Sequence, residues 1–137
     1  MERAEALRRL GQARVGHLAT VGEDGAPHIV PVTLAATDEM IVTMIDQKPK
    51  TTTTLKRLDN IEANPRVSVL VDAWSEDWSE LWWVRVDGTA KTHDSGDLWE
   101  VARSLLVAKY PQYRQDPPRG PAIVITVDTV RFWEGTQ

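Results

Sequence analysis

Asn64-Pro-Arg-Val-Ser-Val-Leu-Val-Asp72 is the stretch at which the chain changes from a helical to a strand pattern. Before it, Leu55, Leu58 and Ile61 recur at three-residue spacing, which predicts a modest helix from Thr52 to Ala63 that the proline ends. After the proline, valines occupy every second position, which is the pattern of a half-buried strand. This segment therefore predicts a helix followed directly by a strand.

Further strand patterns lie on both sides of this segment, with helical patterns near the start and late in the chain. The six predicted strands are Val15–Val21, Pro27–Ala35, Met40–Ile45, Arg66–Asp72, Leu81–Asp87 and Ala122–Val127, the last continuing towards Trp133. They are mostly consecutive, and alternating strand-helix-strand units are absent. The sequence thus predicts an α+β protein, a six-stranded antiparallel barrel with flanking helices, built as a single domain over residues 1–137.

Glycine and proline residues set the expected boundaries of these elements. Gly11 suits the left-handed position after a first helix over Glu2–Leu10. Asp94 or Ser95 is the expected cap of the late helix, and Pro111 its expected end. Pro31 cannot donate to a strand ladder, so the second strand is expected at an edge or a bulge.

The amino-acid composition argues against several classes of function. The 137 residues include no cysteine, which excludes disulfides, thiolate zinc sites and cysteine nucleophiles. The formal net charge of −4 argues against general nucleic-acid binding. No apolar run approaches 18 residues and the first ten residues are charged, so we expect a cytoplasmic protein without a membrane partner.

No protein group stands out as catalytic. His17, His28 and His93 have no carboxylate or second histidine at ligand spacing, so no metal site is predicted. Nucleophile elbows, Walker loops and Gly-x-Gly-x-x-Gly motifs are absent.

A basic segment is the clearest candidate site. Residues 48–57 hold Lys48, Lys50, Lys56 and Arg57 and no acid, and four threonines beginning with Thr51 follow Lys50. Lysines, hydroxyls and a predicted helix N-terminus together suit a phosphate, because unpaired backbone N–H groups and the helix dipole favour negative charge. The alternative is a threonine cap with solvated lysines around it.

Tryptophan is unusually frequent, with six residues against one phenylalanine. Trp82 and Trp83 are neighbours on a predicted strand and must point to opposite faces. At least one of them therefore leaves the barrel interior, towards a second chain or a ring-shaped ligand, or lies partly exposed.

The order of these patterns resembles a known family. The pieces are Gly16-His-Leu-Ala-Thr20, Gly25-x-Pro-His-x-Val-Pro-Val32, Asp46-x-Lys-Pro-Lys50, the Asn64–Asp72 stretch and Val86-Asp-Gly-Thr-Ala90. They resemble the pyridoxamine 5′-phosphate oxidase-like split barrels from about Ala13 to Trp133. Within these, the chain looks most like the actinobacterial flavin/deazaflavin oxidoreductases that use coenzyme F420.

The resemblance implies an FMN-binding split barrel of six strands that forms a homodimer, with two cofactor sites at the subunit interface. The cofactor phosphate would lie beside basic residues near the start of the helix before Asn64. Counting forward from the third strand gives Lys48 and Lys50, with Thr51 beside them, whereas counting back from Pro65 gives Lys56 and Arg57. We favour Lys48 and Lys50, with Arg57 second.

The resemblance also implies residues around the cofactor ring. Thr43 and Val32 would line it, and Trp78 resembles an aromatic residue that the partner subunit lends to the ring. The implied function is hydride transfer from reduced F420 to a small electron-poor substrate. FMN is the alternative cofactor, and a non-catalytic protein that binds a flavin or haem is the alternative function. Oxidation of pyridoxamine phosphate is not expected, since the family's Arg-His signature is missing near Arg131.

Overall fold

The structure, a computed structural model, describes residues 1–46 and 52–136. Within them the chain forms four α-helices, one 3-10 helix and one seven-stranded sheet. The elements in chain order are α1 (Arg3–Gln12), β1 (Gly16–Val21), β2 (Pro27–Val32), β3 (Ala35–Ala36), β4 (Met40–Met44), α2 (Thr52–Ala63), β5 (Arg66–Ala73), the 3-10 helix (Trp78–Glu80), β6 (Trp82–His93), α3 (Asp97–Lys109), α4 (Pro111–Gln115) and β7 (Ala122–Glu134).

The sheet is antiparallel throughout and curls on itself. Its strand order is β2-β1-β5-β6-β7-β4-β3. The two edge strands, β2 and β3, are separated in the chain only by Thr33 and Leu34, so the two edges must meet at this corner. The predicted α+β split barrel is confirmed. The seventh strand arises because the predicted second strand breaks at the corner, and Pro31 lies at an edge as expected.

The longest pairing in the sheet joins β6 to β7 and contains an irregularity. Asp87 pairs with Thr129 and Gly88 pairs with Val127, so Asp128 is an extra residue. A bulge of this kind bends the ribbon and increases its twist. A Cβ atom on Gly88 would lie 2.4 Å from the carbonyl oxygen of Thr126. The prediction that the strand ends at Gly88 was therefore wrong, because this glycine allows the strands to approach and β6 continues past it.

Strand β4 and residues 122–125 at the start of β7 are buried on both faces, which explains their nearly continuous apolar sequences. Ile41 and Ile123 point into the barrel interior. Val42 and Val124 point the other way and pack with Leu106 of α3. The fold therefore has two apolar layers on either side of this part of the sheet.

Two of the predicted helices differ from the structure at their ends. Gly11 lies inside α1, which continues to Gln12, because the chain leaves the helix through an extended Ala13. Gly96, with no side-chain cap, precedes α3 in place of Asp94 or Ser95. The helix α2 has the predicted bounds.

The helix α3 ends just before Pro111, as predicted, but a short helix that was not predicted follows it. Tyr110 is extended after α3, and Pro111 starts the short α4, since proline fits the first turn of a helix. The ammonium of Lys109 donates hydrogen bonds of 2.6 Å each to the carbonyl oxygens of Ala13 and Leu34. This junction of α3 and α4 therefore fastens the corner at which the sheet edges meet.

Among the helices that the structure describes, none combines the length and the apolar character needed to cross a membrane.

We predict that Gly88→Ala lowers the free energy of unfolding by about 1–3 kcal/mol, because the new methyl group overpacks a site bounded by backbone. Gly11→Ala is the matched control. Its new Cβ would lie at an ordinary 3.6 Å from Ala36, so removal of a helical glycine should raise stability by up to about 1 kcal/mol. Urea unfolding measures both, and equal stability of the two variants would contradict the role given to Gly88.

Candidate functional site

The predicted phosphate site lies between β4 and α2. Lys48, Lys50 and Thr51 fall outside the described residues, so their role stays a prediction. The structure describes the two ends of the site. Asp46 follows β4, and Arg57 projects from the second turn of α2.

Arg57 carries a charge that the surrounding protein satisfies only in part. Its side chain is half-buried, and burial lowers the pKa of the guanidinium while the negative charge of Asp46 raises it. In the described part of the chain, no carboxylate lies within 4.0 Å of it and its buried Nε has no hydrogen-bond acceptor. Because an arginine remains protonated in proteins, Arg57 presents a cation without a carboxylate partner among the described residues and with at least one donor, Nε, that has no acceptor there.

Lys56 has different surroundings from Arg57, although the two are adjacent in sequence. It is exposed and lines a cavity of about 560 Å³. Four acidic residues line the same cavity: Glu23, Asp24, Asp59 and Glu62. Their negative charge makes this side of α2 unfavourable for an anion. Of the two residues found by counting back from Pro65, only Arg57 therefore suits a phosphate.

Asp46 is held by a hydrogen-bonded chain that the sequence did not reveal. The hydroxyl of Tyr113 donates to Asp46 Oδ1 at 2.6 Å and lies 2.9 Å from Thr33 Oγ1. The one phenolic proton goes to the carboxylate, so the threonine hydroxyl donates to Tyr113. Burial raises the pKa of Tyr113, and the hydrogen bond to the negatively charged Asp46 raises it further, to about 12. Asp46, Tyr113 and Arg119 also line a cavity of about 360 Å³.

Thr43 and Val32, the predicted ring-lining residues, are both buried. Val32 belongs to the core of the barrel interior, and Thr43 lies opposite Ile123 in the β4–β7 ladder. Their contact with a cofactor ring stays a prediction.

Trp78 lies in the connection between β5 and β6 and is 68% exposed. The connection is ordered by Asp77, whose carboxylate accepts hydrogen bonds from the backbone N–H of Ser79 at 3.1 Å and from its hydroxyl at 2.7 Å. Trp74 in the same connection is exposed to the same extent. Two indole rings therefore project from a well-defined loop.

The outer face of the sheet, away from the barrel interior, carries large apolar side chains in contact with solvent. Ile29 on β2 is 64% exposed, Leu70 on β5 38% and Trp133 on β7 47%. An ion pair of 2.9 Å between Arg85 and Asp87 lies among them. We define the outer face by these five residues. The three large apolar side chains on one sheet face offer surface that a second protein could bury.

The two adjacent tryptophans point in opposite directions, as predicted. Trp82 packs against the barrel core, with the guanidinium of Arg9 over its ring at 5.2 Å. Trp83 lies on the outer face, directly opposite Trp133 in the β6–β7 register.

No group of three or more histidine, aspartate or glutamate side chains suited to a metal ion occurs within residues 1–46 and 52–136.

Comparison with known proteins gives the family. Residues 3–134 match the family model described as pyridoxamine 5′-phosphate oxidase. The chain belongs to this family. No curated protein matches the sequence at a significant level.

Several solved structures are similar to this pyridoxamine 5′-phosphate oxidase family member. A conserved hypothetical protein of Mycobacterium tuberculosis is 24% identical, with a TM-score of 0.76 over 98% of this chain and 85% of that one. A FAD-binding protein of Mesorhizobium loti is 24% identical, with a TM-score of 0.74 over 96% and 94%. A haem-binding protein of Mycobacterium smegmatis is 23% identical, with a TM-score of 0.75 over 98% and 55%. At these identities the similarity shows a common fold.

Proposed function

We propose that this chain binds a flavin-type cofactor through its phosphate beside the first turns of α2, and that it is an oxidoreductase that uses coenzyme F420. The observation that carries the proposal is Arg57, a half-buried cation whose Nε has no acceptor in the described part of the chain. Burial of an unpaired charge costs stability, and such a group is most easily explained by an anion that binds there.

The residues present fit a phosphate-bearing cofactor. Arg57 offers planar donors, and Lys48, Lys50 and Thr51 would add charge and a hydroxyl from the segment before it. A flavin-type cofactor agrees with membership of the pyridoxamine 5′-phosphate oxidase family, and with a similar structure whose protein binds FAD.

The protein's part in the reaction is to bind and to orient. A bound reduced deazaflavin supplies a hydride to an electron-poor carbon of a small substrate. Arg57 and the basic segment would hold the phosphate, Thr43 and Val32 would support the ring, and Trp78 of the partner subunit would cover it and exclude water. No nucleophile of the protein is needed.

F420 is preferred over FMN because of charge. A deazaflavin has an acidic glutamate tail beyond its phosphate, and three basic residues besides Lys56 occur within residues 48–57: Lys48, Lys50 and Arg57. FMN remains the alternative cofactor, and its tighter binding would reverse this preference.

Haem binding is a second candidate, and one observation favours it. His17 is an exposed imidazole on the outer side of β1, opposite Leu70 of β5, and a similar structure is of a haem-binding protein. A Soret band that appears on titration with haemin and is lost in His17→Ala would support haem in place of a flavin.

We predict that Arg57→Met weakens F420 binding about 10- to 150-fold, because it removes a charge-assisted hydrogen bond. The free energy of unfolding should stay the same or rise, since methionine removes the half-buried charge. Lys50→Ala should weaken binding to a similar degree if the forward count from the third strand also holds. Fluorescence titration at two salt concentrations measures affinity, and urea unfolding measures stability.

The matched control is Lys56→Met, which removes the adjacent positive charge on the acidic side of α2. It should change F420 affinity less than about threefold. If Arg57→Met and Lys50→Ala both leave affinity within about twofold, the basic segment is a solvated surface and the proposed phosphate site is wrong.

We further propose that the outer face joins two copies of the chain into a homodimer, with the cofactor sites at the subunit interface. The exposed Ile29, Leu70 and Trp133 supply the apolar surface, and a two-fold axis would bury the same face on both subunits. The exposed Trp78 would then reach the partner's site.

We predict that light scattering at micromolar concentration reports twice the 15.4 kDa chain mass, and that Leu70→Glu reduces it to the monomer mass. A charge placed in an apolar contact must be desolvated, and the cation opposite position 70, Arg85, is already paired with Asp87. Leu98→Glu is the control, since Leu98 is 42% exposed but lies on α3, outside the outer face. A monomeric wild-type chain that binds cofactor at full affinity would contradict the shared site.

A further inference from the structure

Asp46 is an acid placed at the entrance to a site that we assign to an anion. It is the last described residue before the basic segment, and two hydrogen bonds fix its position. The hydroxyl of Tyr113 donates to its carboxylate at 2.6 Å, and the backbone N–H of Arg119 donates to its carbonyl oxygen at 2.8 Å. A buried tyrosine from α4 thus determines where this negative charge lies.

The carboxylate of Asp46 acts on Arg57 without neutralising it. Its charge opposes the effect of burial on the pKa of Arg57, so the two groups interact electrostatically. Yet no ion pair within 4.0 Å joins them among the described residues. The hydrogen bond from Tyr113 holds the carboxylate elsewhere. An anion bound to Arg57 would therefore remain in the repulsive field of Asp46.

Repulsion by a fixed charge grows with the charge of the group bound beside it. A phosphate monoester carries about −1.5 to −2 at neutral pH, whereas a diester carries about one negative charge and an internal pyrophosphate about two in all, on adjacent phosphorus atoms. One carboxylate near the site thus penalises a monoester about twice as much as a diester.

Resting on the proposed cofactor site, we propose that Asp46, held in place by Tyr113, is a specificity residue that selects flavin-type cofactors whose phosphate is a singly charged diester. F420 has such a phosphate, whereas FMN has a terminal monoester and FAD a pyrophosphate of about the same total charge. Tyr113 is a positioning residue, since it acts through Asp46.

The test compares F420, FAD and FMN on one set of variants by fluorescence titration at pH 7.5. Asp46→Asn should tighten FMN and FAD more than F420, so that the preference for F420 over FMN falls about three- to tenfold and the preference over FAD falls in the same direction. Asp38→Asn is the matched control, because Asp38 is an exposed acid at the opposite end of β4. It changes the net charge equally and should leave the preference unchanged.

Tyr113→Phe tests the positioning role. It frees the carboxylate, so the preference should fall in the same direction but less, and the double variant with Asp46→Asn should show no further change. Tyr110→Phe is its control. Tyr110 also forms hydroxyl hydrogen bonds, but to backbone atoms of Leu34 and Arg14. Loss of these bonds should lower stability and leave the preference unchanged.

The outcomes separate this inference from the proposed function. A wild-type chain that binds none of the three cofactors contradicts the proposed function and this inference with it. If Arg57→Met weakens F420 while Asp46→Asn and Tyr113→Phe change all three affinities by the same factor, the cofactor site stands and the charge selection is wrong.

Discussion

The pairing of β6 with β7 occupies the middle of the sheet, and the rest of the structure depends on how this ribbon bends. The bend lies where Asp128 is inserted and where Gly88 lets β6 approach the backbone of β7. A flat ribbon would leave the edges β2 and β3 apart, although only Thr33 and Leu34 separate them in the chain. The curl brings the edges together, and it also brings the end of β4 close to the α4 tyrosine that holds Asp46.

The candidate site is arranged for charge rather than for stability. Arg57 is half-buried without a carboxylate partner in the described ranges, and Asp46 is bound by Tyr113 instead of by Arg57. A buried charge without a partner lowers stability, and proteins accept such costs at functional sites. On the other side of α2, Lys56 faces acids and lacks this property.

Local patterns predicted the elements whose ends are decided locally. The helix α2 has its predicted bounds because the helical pattern of Leu55, Leu58 and Ile61 in the sequence ends where Pro65 prevents further helix. The glycine at position 88 misled the prediction, because its function is to accommodate the Thr126 carbonyl, which is distant in sequence. Pro111 ends α3 as predicted, but α4 was missed because a proline that ends one helix can also begin the next.

The site shows the same division between local and distant information. The sequence placed basic residues together before and within α2, but it could not distinguish Lys56 from Arg57. Adjacent helical residues point in different directions, and what Lys56 meets includes the turn between β1 and β2. Nothing in the sequence assigned a role to Asp46 in the Asp46–Lys50 motif, because its hydrogen-bond partner Tyr113 lies 67 residues further along the chain.

A crystal structure of the chain with F420 bound tests the account most directly. The account predicts that the phosphate of the cofactor accepts hydrogen bonds from the guanidinium of Arg57, while the carboxylate of Asp46 keeps its bond to Tyr113 and does not touch the phosphate. A phosphate bound away from α2, with Arg57 instead paired to Asp46, would contradict it.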